Sequence, residues 1–301
     1  MEGLRYVLLS LVLGGLSVWA SENLFWMMPP PGLTALDFAL TVVAYAIAAA
    51  VALSAVIWSG LGGLRGAFLG AAIMGYMAEG VIVGTIYQGV PLQLVWTPLA
   101  WHALISGALV LGVGRARLPV WRMVAIWVAL GLVGSYWAQF WVSERDGVPE
   151  VWRFAIYILG LGLLVPLAHG VMDRLGRLPR PKVWVLWVAP ALAALVWGAQ
   201  TVAEMNPLRL MLPVMLALIL WVMRRLGQPE AVVELGSGPV ARHGLFLIAP
   251  AIVVALAPIG WAQGWGTLEA NWVVAIGTSL GATGWLAWLI WRSAVQGAQG
   301  R

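Results

Sequence analysis

Long apolar stretches that are almost free of charge, separated by short polar joins, constrain this chain most strongly. Acidic and basic residues are nearly absent for about twenty residues at a time and then appear in small clusters. A helix needs about 20 apolar residues to cross the hydrocarbon core of a bilayer. With 62% hydrophobic and 10% charged residues, the chain has too little polar surface for a soluble globular protein. The pattern predicts an all-α, polytopic integral membrane protein.

The joins between apolar stretches divide the chain into ten predicted transmembrane helices. Pro and Gly clusters, such as Pro29 to Pro31 and Gly60 to Gly63, mark these joins. The predicted spans are 4–27, 34–58, 64–87, 95–114, 119–142, 152–174, 182–203, 207–224, 244–264 and 271–292. The first span continues past Glu22, which favours a transmembrane helix over a cleaved signal peptide. We therefore expect a single membrane domain, 1–301.

The basic residues predict the orientation of these helices. If the amino terminus is cytoplasmic, fourteen of the seventeen Lys and Arg residues fall on the cytoplasmic side, and only Arg145, Arg153 and Arg209 fall outside. This distribution obeys the positive-inside rule, and an odd number of spans would destroy it. The same rule explains the net charge of +5 without a nucleic-acid partner. We expect both termini in the cytoplasm and the chain in a bacterial inner membrane.

Two ionisable residues fall deep within predicted helices. Glu79 lies roughly 12 Å below the outer end of the third span, and His102 roughly 10 Å below the outer end of the fourth. A charged group in hydrocarbon costs roughly 2.5–3.5 kcal/mol, so each is a candidate site residue. Since a short loop joins these antiparallel helices, the sequence predicts that Glu79 and His102 meet and act as a coupled pair. Pro98 precedes His102 by four residues and predicts a bend beside it.

Other polar residues gather in the outer third of the helices. Glu22, Asn23 and Tyr136 are the further candidates for binding a substrate or proton. Together they predict an outward-facing polar cavity with Glu79 and His102 at its floor. The outer third also contains Gln139, Gln200, Thr201, Glu204 and Arg209.

Few polar residues fall at the inner ends of the predicted helices. His169 and Asp173 are four residues apart near the inner end of the sixth span. We interpret them as a pair that snorkels toward the interface beside Arg174. The chain has no cysteine, and no spacing typical of a metal or cofactor site is evident, so none is predicted.

In span count and topology the chain resembles the drug/metabolite transporter superfamily, although no motif carries the resemblance. Members have ten spans in about 300 residues and two inverted five-helix halves, which here implies the halves 1–146 and 147–301. The resemblance implies a permease that binds a small solute or a proton.

Two other classes of function stay open. A membrane-embedded hydrolase acting on lipid or peptide at the outer leaflet would use Glu22, Glu79 and His102 as acid/base or metal-binding groups. A structural or assembly subunit would use the buried charges between subunits. Gly-rich helix faces, such as Gly277 with Gly281, also allow a homo-oligomer.

Overall fold

The computed structural model describes residues 1–23, 28–29, 32–144, 147–229, 231–235, 240–265 and 268–299. The regular elements in these ranges are helices, and the one isolated β-bridge there joins Arg177 to Glu234. Nine of the helices described are long and apolar enough to cross a membrane. The chain is therefore an all-α integral membrane protein of about ten helices, and the predicted fold class is confirmed.

Ten helices, numbered in chain order, correspond to the ten predicted spans. Three of them change character along their length: α1 continues as a π-helical turn, Val18–Asn23; α3 continues as another, Ala78–Ile82; and α4 consists of Leu92–Val95 followed by the π-helix Trp96–Val113. The helices are α1 Glu2–Ser17, α2 Ala35–Ser59, α3 Gly63–Met77, α4 as given, α5 Val120–Glu144, α6 Val151–Gly162 with Leu164–Leu175, α7 Val183–Glu204, α8 Met211–Leu226, α9 Ile248–Gln263 and α10 Leu268–Gln299.

The third helix differs from the prediction in two ways. It ends at Ile82 rather than at residue 87, because Gly84 adopts a left-handed conformation (φ +82°) that stops the helix. It is also outside the group of nine long apolar helices. The reason is its position: α3 is largely buried among other helices, so it carries glycines and Glu79 where a lipid-facing helix needs large apolar side chains.

Glycines allow the inner helices to approach one another closely. A Cβ atom on Gly14 of α1 would lie 2.6 Å from the backbone of Ala46 in α2. One on Gly131 of α5 would lie 2.8 Å from the carbonyl oxygen of Ala249 in α9. By contrast, a Cβ atom on Gly277 would meet no atom within 4 Å, so this part of the predicted Gly-rich face of α10 is open. The homo-oligomer stays a prediction.

The end of the bundle that carries Arg115, Arg174 and Arg177 is called the arginine-rich end below. The loop between α2 and α3, which contains Gly60, and the loop after α8, which contains Gln228, both lie at this end. They are in contact, because a Cβ atom on Gly60 would collide with the backbone of Gln228. Residues 231–235 also lie there, since Leu178 donates to the carbonyl of Val233 and Leu235 donates to that of Gly176. This loop covers the arginine-rich end between α2 and α6.

Candidate functional site

The structure brings Glu79 and His102 together inside the helix bundle. Nε2 of His102 lies 3.1 Å from Oε1 of Glu79. His102 is completely buried and Glu79 is 7% exposed. Each residue lies in a π-helical segment, Glu79 in the turn that ends α3 and His102 in α4. Such turns widen a helix and occur frequently at functional sites.

Close contact between α3 and α4 sets this geometry. A Cβ atom on Gly75 would lie 2.6 Å from the carbonyl oxygen of Pro98 and 2.7 Å from Cβ of His102. Farther along, a Cβ on Gly107 would overlap Cβ of Ala71. Only glycine fits at these two positions, and its absence of a side chain lets the π-helix of α4 lie directly against α3. Gly75 is one turn before Glu79, so it places the carboxylate beside the imidazole.

The hydrogen bonds around the pair define what it can bind. Thr85 donates its hydroxyl to Oε2 of Glu79. Each carboxylate oxygen of Glu79 thus has a polar partner, Oε2 in Thr85 and Oε1 in Nε2 of His102. Its Nδ1 atom is buried without a hydrogen-bond partner among the residues that the structure describes. The hydrogen-bonding capacity that the described contacts of the pair leave unused is therefore at Nδ1 of His102.

A second polar cluster surrounds the segment that follows Glu79. Arg209, which is 2% exposed, donates Nε and Nη2 to the two carboxylate oxygens of Glu204, at 2.9 and 2.5 Å. It also donates to Gln200 at 3.2 Å, and its guanidinium lies 4.8 Å from the ring centre of Tyr87. Tyr87 in turn donates to the carbonyl of Gly80 at 2.9 Å. These contacts hold the 80–87 segment over Glu79.

No described contact joins Tyr136 or Gln139 to Glu79 or His102. Tyr136 is 39% exposed. Gln139 donates to the carbonyls of Ser135 and Ala257, which joins α5 to α9. The side chains of Glu22 and Asn23 lie outside the described part of the structure, so their predicted roles stay predictions.

A partly buried ionic network near the arginine-rich end was not predicted from the sequence. Arg115 donates to Asp173 at 2.6 Å, to the carbonyl of Leu235 at 2.5 Å and to the carbonyl of His169 at 3.1 Å. Asp173 also accepts from Nε2 of His243 at 2.7 Å. The two imidazole rings stack 5.0 Å apart. The network links α4, α6, the 231–235 loop and the segment before α9.

The interpretation of His169 and Asp173 as a snorkelling pair beside Arg174 is therefore wrong. His169 is 1% exposed, and its Nε2 donates to the carbonyl of Val110 at 3.2 Å. That bond leaves Nδ1 to accept from Arg115 at 3.3 Å, which fixes the neutral form of the ring. The sequence signal that could have found the network is that Arg115, Asp173 and His243 all lie at the same end of their predicted spans and therefore at matching depths.

Two cavities described in the structure are apolar, and neither is lined by Glu79 or His102. The first, of about 340 Å³, is called the Arg115 cavity; it reaches from the loops of the arginine-rich end to Ser17, Met74 and Ser106 near the bundle centre. The second, of about 470 Å³, is called the α7 groove and lies between α7 and the helices α2, α3 and α8. The outward-facing polar cavity therefore stays a prediction.

The candidate site consists of one carboxylate and one imidazole in contact. Within the described ranges, no group of three or more His, Cys, Asp or Glu residues is arranged to hold a metal ion. Comparison of the chain with protein-family models, curated proteins and solved structures gave no match. The functional assignment consequently rests on the geometry of Glu79 and His102.

Proposed function

We propose that this membrane protein is a transporter in which the Glu79–His102 pair binds a proton or the cationic group of a small solute. The observation that carries the proposal is a carboxylate and an imidazole in contact, almost fully buried within a membrane-spanning bundle. Burial of two ionisable groups is costly, and residues of this kind in transporters mark proton relays and substrate pathways. The unpaired Nδ1 of His102 supplies a position for the proton.

The Arg115 cavity supports a pathway toward the pair. It reaches Met74, five residues before Glu79 on α3, and Ser106, four residues after His102 on α4. Under the positive-inside rule the arginine-rich end is cytoplasmic, so this cavity faces the cytoplasm. On the opposite side, Thr85 and the segment held by Tyr87 and Arg209 cover Glu79. In our proposal this arrangement is an inward-facing state with a closed outer gate.

Architecture agrees with this proposal. Ten helices, with both ends in the cytoplasm as the basic residues predict, resemble the drug/metabolite transporter superfamily, and inverted five-helix halves would provide the two alternating states. The cavity walls contain many Gly and Ala residues with a few hydroxyls. We infer that the transported solute is small and partly apolar, and that its cationic group exchanges with the proton on the pair.

The test uses purified protein in liposomes on a solid-supported membrane. Concentration jumps of a panel of quaternary and protonatable amines should produce transient currents for the wild type at neutral pH. Glu79→Gln and His102→Gln should each remove the current, because either change removes the proton-binding pair. Glu150→Gln is the matched control, since Glu150 pairs with Arg153 on the surface and should keep full current. Equal currents in wild type and Glu79→Gln would contradict the proposed site.

A further inference from the structure

The α7 groove has the dimensions of a lipid chain site. It contacts α7 from Val183 to Trp197, a distance of roughly 21 Å along the helix. One leaflet of hydrocarbon is roughly 15 Å thick, half of the bilayer core. Among the described residues that line the groove, Ser54 is the one with a hydroxyl group, and this hydroxyl is bonded to Tyr6 at 2.8 Å. The groove therefore offers an apolar occupant a full-length contact and no free hydroxyl.

The sequence of α7 explains why the groove is present. Pro190 lies inside the helix and lines the groove, and its ring prevents the regular hydrogen bond to the carbonyl four residues earlier. Ala193 and Ala194 follow on the groove side with short side chains. Only 11% of the most apolar stretch of α7 is buried inside the protein, the lowest share among the nine long apolar helices described. The helix thus stands partly away from α2 and α8.

Positive charge lies at one end of the groove, the arginine-rich end. Arg224 is exposed, lies one turn after the groove residue Leu220, and its guanidinium is 5.1 Å from the ring centre of Trp58, which also lines the groove. Lys182 is exposed and directly precedes Val183, the first groove residue of α7. Basic pockets between transmembrane helices at the membrane surface bind the head groups of anionic lipids.

We propose that the α7 groove binds one anionic phospholipid of the surrounding bilayer. An acyl chain lies along the groove between α7 and α8, and the phosphate lies at the membrane surface between Arg224 and Lys182. The groove thus accommodates both parts of the ligand: the chain has an apolar lining longer than one leaflet of hydrocarbon, and the phosphate has two cations. This site is separate from Glu79 and His102 and does not depend on the transport proposal.

Native mass spectrometry of the detergent-solubilised protein tests the site. Phosphatidylglycerol and phosphatidylcholine with identical chains are titrated separately. The wild type should bind one phosphatidylglycerol more tightly than phosphatidylcholine. Arg224→Gln and Lys182→Gln should each weaken phosphatidylglycerol binding about fivefold, since a basic residue near an anionic surface contributes about that factor. Neither change should affect phosphatidylcholine.

Two further variants separate the groove from general charge attraction. Ala193→Phe, which fills the groove, should weaken binding of both lipids. Arg122→Gln is the matched control, because Arg122 is exposed and lies 5.1 Å from the ring centre of Trp121, away from the groove lining. Equal loss of phosphatidylglycerol in Arg122→Gln and Arg224→Gln would overturn the proposal, as would unchanged binding in Ala193→Phe. A dimer that Ala193→Phe abolishes would assign the groove to a second copy of the chain and would also overturn it.

Discussion

A double-mutant cycle on Glu79 and His102 tests whether the buried pair is energetically coupled. Glu79→Gln or His102→Gln alone removes one ionisable group and leaves the other without its partner. Both groups are buried, His102 completely and Glu79 with 7% exposure. Leaving a buried polar group unsatisfied costs about 1–3 kcal/mol, and more if the group is charged. We expect each single change to cost about 2–3 kcal/mol, and the double change to cost little more than either one. The expected coupling energy is thus about 1–3 kcal/mol.

Thermal unfolding in detergent, followed by the fluorescence of the twenty tryptophans, measures this cycle without a known substrate. At an unfolding entropy of about 2.1 cal/mol/K per residue, a change of 1 kcal/mol shifts the Tm of a 301-residue chain by about 1.6 °C, so each single change should lower Tm by about 3–5 °C. The matched control is the surface pair Glu150 and Arg153, joined at 2.8 Å with both side chains 59% exposed. Its coupling should be about 0–1 kcal/mol. Additive effects of Glu79→Gln and His102→Gln would refute the coupled pair.

Three other predictions concern packing, the ionic network and topology. Gly75→Ala should cost about 1–3 kcal/mol in thermal unfolding, because its Cβ would meet Pro98 and His102; Gly198→Ala, with no atom within 4 Å, should cause no loss. Asp173→Asn should cost about 1–3 kcal/mol, because it removes the carboxylate charge that accepts from both Arg115 and His243, whereas Asp37→Asn at an exposed helix start should cost much less, and equal losses would contradict the network. In the cysteine-free wild-type background, an impermeant maleimide applied to whole cells should label Val148→Cys and leave Arg174→Cys unlabelled; the reverse result would invert the topology.

Depth along the helices could be predicted from the sequence, and this was enough to find the candidate pair. Glu79 and His102 lie on helices joined by a short loop, so a rise of about 1.5 Å per residue places them at equal height. Their contact then needs only the correct faces, which Gly75 and Pro98 favour by bringing α3 against α4. The all-α fold class and the number of about ten helices could be predicted from the length and spacing of the apolar stretches.

Contacts between distant segments could not be predicted in this way. Asp173 has a neighbouring cation in Arg174, yet its partners are Arg115, 58 residues away, and His243, 70 residues away. Depth does not say which way a side chain faces around its helix, so the role predicted for Tyr136, which is 39% exposed, stays a prediction. A single sequence indicates the depth of each residue in the membrane, but it does not indicate which helices pack against one another.

The π-helical part of α4 connects the two buried polar centres of the protein. His102, near its beginning, contacts Glu79, while the carbonyl of Val110 accepts from His169 and Arg115 follows shortly after its end. A displacement of α4 along its axis by one residue is about 1.5 Å, which would shift His102 relative to Glu79 and Val110 relative to His169. The pair and the network thus share one helix, and we expect a movement of α4 to change the contacts of both.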